Sequence, residues 1–120
     1  MMKMRIMVRD GALSAMIGDG EVPIHWMDSK PPVPGEPYEV EVDLGDIVSL
    51  EPTNETSPSM SYADGFYTSC LKMVDAESDL LVFDFFGGLT MVPYYNNDHF
   101  VRGSYQCIRF RDLGVYNVNV

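Results

Sequence analysis

Residues 38–44 read Tyr-Glu-Val-Glu-Val-Asp-Leu. Apolar and acidic side chains alternate strictly in this stretch, and a period of two is typical of a strand with one buried and one exposed face. The stretch therefore predicts a β-strand whose solvent-facing side carries Glu39, Glu41 and Asp43. Gly45 then interrupts the alternation, which predicts a bulge or bend at that point.

The rest of the chain has the same character. Short alternating runs are separated by Gly, Asp, Asn and Pro, and no segment shows a helical period. All 120 residues are therefore predicted to form a single all-β domain. It is predicted to comprise an N-terminal β-meander over residues 1–27, a stiff proline-rich connection over 28–37, and a small barrel with closing strands over 38–120.

The second half of this domain contains the most apolar segment. Residues 80–86 read Leu-Leu-Val-Phe-Asp-Phe-Phe, which predicts a central strand with Leu81, Phe83 and Phe85 on one face. Asp84 lies on the other face. An unpaired buried carboxylate is costly, so we expect Asp84 to pair with an arginine of the C-terminal segment, Arg109 or Arg111. The polar residues 52–64 predict a long loop, and residues 105–111 and 115–120 predict the last two strands.

Charge is distributed unevenly along the chain. The protein has 18 acidic and 8 basic residues, a net charge of −10. Residues 31–98 hold thirteen acids and one base, Lys72, so this section alone has a net charge of 1 − 13 = −12. Such a section repels phosphates, which argues against direct nucleic-acid binding, and it attracts basic surfaces. We therefore expect the partner to be a protein with a basic surface.

Other functional classes receive no support from motifs. No run of about 18 apolar residues and no signal peptide are found, so we expect a cytoplasmic protein that does not insert into a membrane. Cys70 and Cys107 lack metal-ligand spacing and are expected to be reduced thiols. His25 and His99 belong to no nucleophile, metal-binding or phosphate-binding motif. No catalytic residue, metal or cofactor is therefore predicted.

From Asp43 to about Phe100, the order of features resembles Tudor domains of the SH3-like small-barrel class. The matching segments are Leu44-Gly45-Asp46, Asp64-Gly65-Phe66-Tyr67, Val74-Asp75-Ala76-Glu77, Phe83-Asp84-Phe85-Phe86-Gly87-Gly88 and Val92-Pro93. The resemblance implies a five-stranded barrel, here elaborated by N-terminal hairpins and C-terminal strands. It also implies an aromatic cage for methylated Lys or Arg. By position, the cage would use Tyr62, Tyr67, Phe83 and Phe86.

The leading functional hypothesis is a non-catalytic acidic module that binds a basic partner, as an intracellular inhibitor, an immunity-type protein or a nucleic-acid mimic does. Large amphipathic rings and polar side chains favour contact surfaces. The predicted partner-binding residues are Glu39, Glu41, Asp43, Asp46, Tyr94, Tyr95, Asn97 and Asp98. The alternatives are a Tudor-like reader of methylated Lys or Arg and a small enzyme or metal-binding accessory subunit. A homodimer through an unpaired edge strand is also expected to be feasible.

Overall fold

The computed structural model describes residues 2–77, 79–94 and 100–118. Within these residues the secondary structure consists of β-strands and contains no helix, which confirms the predicted all-β class. The strands are β1 (Met2–Arg9), β2 (Ala12–Ile17), β3 (Gly20–Pro23), β4 (His25–Trp26), β5 (Pro37–Pro52), β6 (Ser59–Ala63), β7 (Phe66–Ala76), β8 (Leu80–Phe85), β9 (Gly88–Pro93) and β10 (Tyr105–Asn117).

These strands form one curled sheet in the order β3-β2-β1-β5-β10-β7-β8-β9. Neighbours along this path pair antiparallel, β6 adds to β7, and β4 pairs with β10 in parallel. The sheet curls into a half-barrel, so that β9 returns towards β5. There Thr90 Oγ1 donates a hydrogen bond to the carbonyl oxygen of Val42 at 3.2 Å. The structure is therefore compatible with a small β-barrel.

Strand β5 is bent as predicted, but the irregular residues follow Gly45, which itself pairs regularly with Asp112. Asp46 has a positive φ of 54°. The register with β10 also shifts nearby, because Arg109 lies opposite Ser49 whereas Phe110 lies opposite Ile47. One residue of β5 is thus inserted as a bulge, which increases the local twist of a strand pair.

The core lies inside the curl of the sheet. Leu81, Phe83 and Phe85 of β8 are completely buried, as the alternation of residues 80–86 predicted. Phe110 and Leu113 of β10 pack into the same cluster. Each of these side chains contributes roughly 1.5–3 kcal/mol through burial, so this cluster is a large part of what holds the half-barrel closed.

Asp84 does not pair with an arginine, so that prediction is wrong. Its side chain is exposed, lies opposite Lys72 in the β7–β8 ladder, and accepts a hydrogen bond from the backbone N–H of Gly87 at 3.0 Å. The guanidinium groups of Arg109 and Arg111 instead lie 4.1 Å and 5.1 Å from the ring centre of Phe66. Asp84 is therefore a turn-stabilising residue, and the arginines stack on an aromatic ring.

Two segment predictions also need correction. The region 52–64, predicted as a loop, contains strand β6, which pairs with β7 through a turn at Asp64 and Gly65. The predicted strands 105–111 and 115–120 are one continuous strand, β10, which ends at Asn117. In both cases pairing with a long neighbouring strand overrides the weak local signal of small and polar residues.

The expectation of two reduced thiols is wrong as well. Cys70 of β7 and Cys107 of β10 lie opposite each other in the ladder and form a disulfide. The two residues are 37 positions apart in the chain, and only the register of two strands brings them together.

The described residues include no helix that has the length and apolar character needed to span a membrane.

Removing this cross-link should lower the free energy of unfolding. Closing a loop of 37 residues corresponds to about 4 kcal/mol in the chain-entropy model, because the bond restricts the unfolded chain. The measurement is urea denaturation of the wild-type protein and of a Cys70→Ala/Cys107→Ala variant. Wild type treated with a reductant should resemble the variant. Identical midpoints for the oxidised and reduced wild type would contradict the prediction.

Candidate functional site

The acidic face predicted from residues 38–44 is present on the outer side of β5. Val40 and Leu44 are buried, while Glu41 and Asp43 are exposed and Glu39 is half-buried. Lys3 of β1 lies opposite Glu39 in the ladder. Within the described part of the chain no salt bridge reaches Glu41 or Asp43. These two carboxylates are therefore available to an external cation.

Strand β10 adds side chains that the sequence reading missed. Tyr116 lies opposite Glu41, and Gly114 lies opposite Asp43. The side chain of Met27 covers Gly114, since a Cβ built there would lie 3.4 Å from its Cγ. Tyr116 is 37% exposed and Met27 is 40% exposed. An aromatic and a thioether side chain thus flank the two carboxylates. Alternation along residues 113–116 indicates that Tyr116 faces outward. No local pattern indicates that Met27 lies on the same face.

Asp112 extends the same face towards the bend. A Cβ at Gly45 would lie 3.2 Å from the Cβ of Asp112, which places this carboxylate next to the last outward position of β5 before the bend. Its Oδ1 lies 3.4 Å from Nδ1 of His25, and both side chains are about half exposed. We use the term acidic face for Glu39, Glu41, Asp43 and Asp112.

Asp46 lies at the boundary of this face rather than within it. Its side chain is exposed and its backbone has the positive φ of the bend. Since Ile47 lies opposite Phe110 and Gly45 lies opposite Asp112, the register places Asp46 opposite Arg111. The acidic series along β5 therefore ends where the basic side chains of β10 begin.

The predicted recognition loop is described only in part. Tyr94 follows β9 and is half-buried. Its ring packs edge-on against Phe100 at 5.1 Å, and its backbone N–H donates to Asp79 O at 2.9 Å. Tyr95, Asn97 and Asp98 lie outside the described residues. Tyr94 thus has a packing role, while a contact role for this segment stays a prediction.

The four rings proposed for a cage do not surround a common opening. Phe83 has no exposed surface and Tyr67 is only 5% exposed. Tyr62 is 42% exposed and packs edge-on against Tyr67 at 4.7 Å. Phe86 packs against Phe85 at 5.1 Å. Because Phe83 and Tyr67 are core residues, the cage implied by the Tudor resemblance is not formed by these positions.

Tyr67 is held in place by packing and by one hydrogen bond. Its ring stacks on Phe110 with the centres 5.0 Å apart, and its hydroxyl donates to the carbonyl oxygen of Pro23 at 2.6 Å. Burial is the largest cause that raises the pKa of Tyr67 to about 12, and the neighbouring Tyr62 and Asp112 side chains act in the same direction. The hydroxyl therefore stays protonated and joins β7 to the end of β3.

Two concave regions lie near β5. One is an apolar slot of about 290 Å³ between β5 and the turn joining β8 to β9, lined by Val40, Phe85 and Leu89 with Glu41 at its edge. The other is a groove of about 670 Å³ between the proline-rich segment and the rings of Trp26 and Tyr38. In the described residues, no group of three or more His, Cys, Asp or Glu side chains is arranged to hold a metal ion.

Comparison with known proteins finds no matching family model, no matching curated protein and no matching solved structure. The coarse class, an all-β half-barrel, is established by the strands themselves. The specific SH3-like or Tudor-like assignment stays a prediction.

Replacing Tyr67 by Phe should destabilise the protein in a pH-dependent way. At neutral pH the loss of the hydrogen bond to Pro23 should cost about 1 kcal/mol. The folded pKa, about 12, is higher than the ordinary value of 10.0. The protonated hydroxyl therefore contributes fully below pH 10, and its contribution is lost as the pH rises towards 12.

Chemical denaturation across this pH range gives the test. The stability of the wild type should fall more steeply than that of Tyr67→Phe above pH 10, so the advantage of the wild type should shrink as the pH rises towards 12. Tyr116→Phe, which alters a more exposed hydroxyl, is the control and should follow the wild type. Parallel curves for wild type and Tyr67→Phe would rule out the role assigned to this hydroxyl.

Proposed function

We propose that this protein is a non-catalytic binding module that engages a basic partner protein through the acidic face. The observation that carries the proposal is the pair Glu41 and Asp43, two exposed carboxylates on a central strand that face no basic side chain in the neighbouring strand β10. Tyr116 and Gly114 occupy the opposing positions of β10. A fixed row of like charges on a sheet attracts a complementary surface without needing to reorganise.

Long-range attraction supports the same role. The net charge of −10 acts on a basic partner before contact and raises the rate of encounter. The potential extends over roughly one Debye length, about 8 Å at physiological ionic strength, so added salt weakens it. Charge of this kind mainly sets association rate and partner selection, while tight contact depends on desolvated groups at the centre of the interface.

Tyr116 and Met27 supply such central groups. Tyrosine combines a large apolar area with a polar tip, and methionine adapts its shape to a partner. Both side chains are partly exposed beside the carboxylates. A face on which charged and apolar side chains lie side by side resembles a protein interface more than a surface whose acids only provide solubility.

Among binding modules, the proposal favours an inhibitor or immunity-type protein that covers a cationic site, or an acidic mimic of nucleic acid. A cytoplasmic location stays a prediction, and the disulfide removes one of the observations on which it was based. A homodimer through an edge strand likewise stays a prediction. The methyl-reader alternative has lost its predicted cage, because two of the four rings are buried.

Neutralising the acidic face should slow association with the partner. The variant is Glu41→Gln/Asp43→Asn, and the matched control is Glu55→Gln/Asp64→Asn, which removes the same charge from exposed positions beyond β5. Wild type is used to capture proteins from its native cells at low and high salt. The recovered partner is then mixed with each variant in stopped-flow experiments.

We expect a basic partner whose association rate constant falls steeply with salt. At low salt the face variant should associate roughly tenfold more slowly than the control variant. An association rate constant that does not change with ionic strength would contradict the proposal. Equal rates for the face variant and the control would show that binding depends on overall charge rather than on this face.

A further inference from the structure

The groove beside the proline-rich segment is a built feature of the fold. Its floor is formed by Trp26 and Tyr38, and one wall is formed by residues 28–36. Hydrogen bonds hold this wall on the sheet. The backbone N–H of Gly35 donates to Ile6 O at 2.8 Å, and the backbone N–H of Asn117 donates to Asp28 Oδ2 at 2.7 Å. The three prolines of this wall, Pro31, Pro32 and Pro34, further limit its motion.

The two aromatic side chains use their polar tips to fix the wall. Trp26 Nε1 donates to the carbonyl oxygen of Lys30 at 2.8 Å, and the hydroxyl of Tyr38 accepts from the backbone N–H of Val33 at 2.7 Å. The rings meet at an interplanar angle of 62° with their centres 5.3 Å apart. Because the indole N–H and the hydroxyl oxygen are engaged by the backbone, the groove is offered mainly the π-surface of the two rings.

Charged groups surround these rings. The groove is lined by two carboxylates, Asp28 and Glu36, and by one ammonium group, Lys30. The net charge of the lining is 1 − 2 = −1. Glu36 and Lys30 are exposed, so each can move to meet or avoid an incoming charge. Aromatic faces bordered by carboxylates attract cations, because the ring quadrupole and the negative charges act in the same direction.

We infer that this groove binds the side chain of an arginine or a lysine presented by a polypeptide. The aliphatic stem would pack along Trp26 and Tyr38, and the charged end would reach Glu36. Lys30 competes with that charge from within the groove. The site goes beyond the acidic face, because Tyr38 and Glu41 project from opposite faces of β5. One site can therefore fail without the other.

The chain contains one tryptophan, Trp26, so intrinsic tryptophan fluorescence reports directly on this groove. The probes are two blocked tripeptides that differ only at the central residue, arginine in one and citrulline in the other. Citrulline has almost the shape of arginine but no charge. We expect a saturable change in fluorescence with the arginine peptide at concentrations up to about 10 mM, and binding about tenfold weaker with the citrulline peptide.

Charge changes at two exposed side chains, Glu36 and Lys30, should alter the affinity for the arginine peptide in opposite directions. Glu36→Gln should weaken binding of the arginine peptide about two- to fivefold, because a carboxylate is lost. Lys30→Gln should strengthen it by a similar factor, because a competing cation is lost. Lys30→Arg keeps the charge and should bind as the wild type does. Glu55→Gln, outside the groove, is a further control, and thermal melts confirm that each variant is folded.

Each other outcome overturns the inference. Equal binding of the two peptides would show that the groove does not select charge. Weaker binding after Lys30→Gln would indicate an anionic occupant. A fluorescence signal that does not saturate with either peptide would mean that the groove is not a site for such side chains. The paired variant Glu55→Gln/Asp64→Asn, which removes two negative charges outside both surfaces, should leave peptide binding unchanged, so an equal loss there would show that the signal reports overall charge rather than this groove.

Discussion

Strands β5 and β10 pair antiparallel from Val40 opposite Asn117 to Pro52 opposite Gln106. Every other described strand reaches the sheet through one of these two, since β1 joins β5, while β4 and β7 join β10. The bend at Asp46 lies near the middle of this ladder. The bulge there increases the twist of the strand pair, and the sheet curls until β9 meets β5.

The curl explains where the two candidate sites lie. Strict alternation along β5 sends its carboxylates outward and Tyr38 to the inner side. On the outer side, β10 adds Tyr116 next to Glu41. On the inner side, β4 brings Trp26 against Tyr38, because β4 pairs with the same end of β10. One strand thus separates a surface suited to long-range electrostatic attraction from a groove suited to one cationic side chain.

Aromatic residues divide between packing and recognition according to burial. The rings of β8 have an apolar neighbour on the inner face, and removing their area from water stabilises the fold. Phe83 is completely buried and therefore cannot contact a ligand. Trp26 and Tyr38 lie at the margin of the sheet, where their polar tips hold a loop and their faces stay accessible. Position relative to the core, rather than the density of rings in the sequence, decides which aromatic residues can bind.

The local pattern of the sequence was enough for the all-β class, for the acidic face of β5, for a bend next to Gly45 and for the buried face of β8. Each of these depends on the period of two or on one glycine, which are properties of neighbouring residues. The partners of Asp84, the Cys70–Cys107 disulfide and the contact of Trp26 with Tyr38 depend instead on the register of strands distant in the chain. A shift of one residue in the register moves every side chain of a strand to the other face of the sheet. Only the tertiary packing of the whole sheet could therefore determine these contacts.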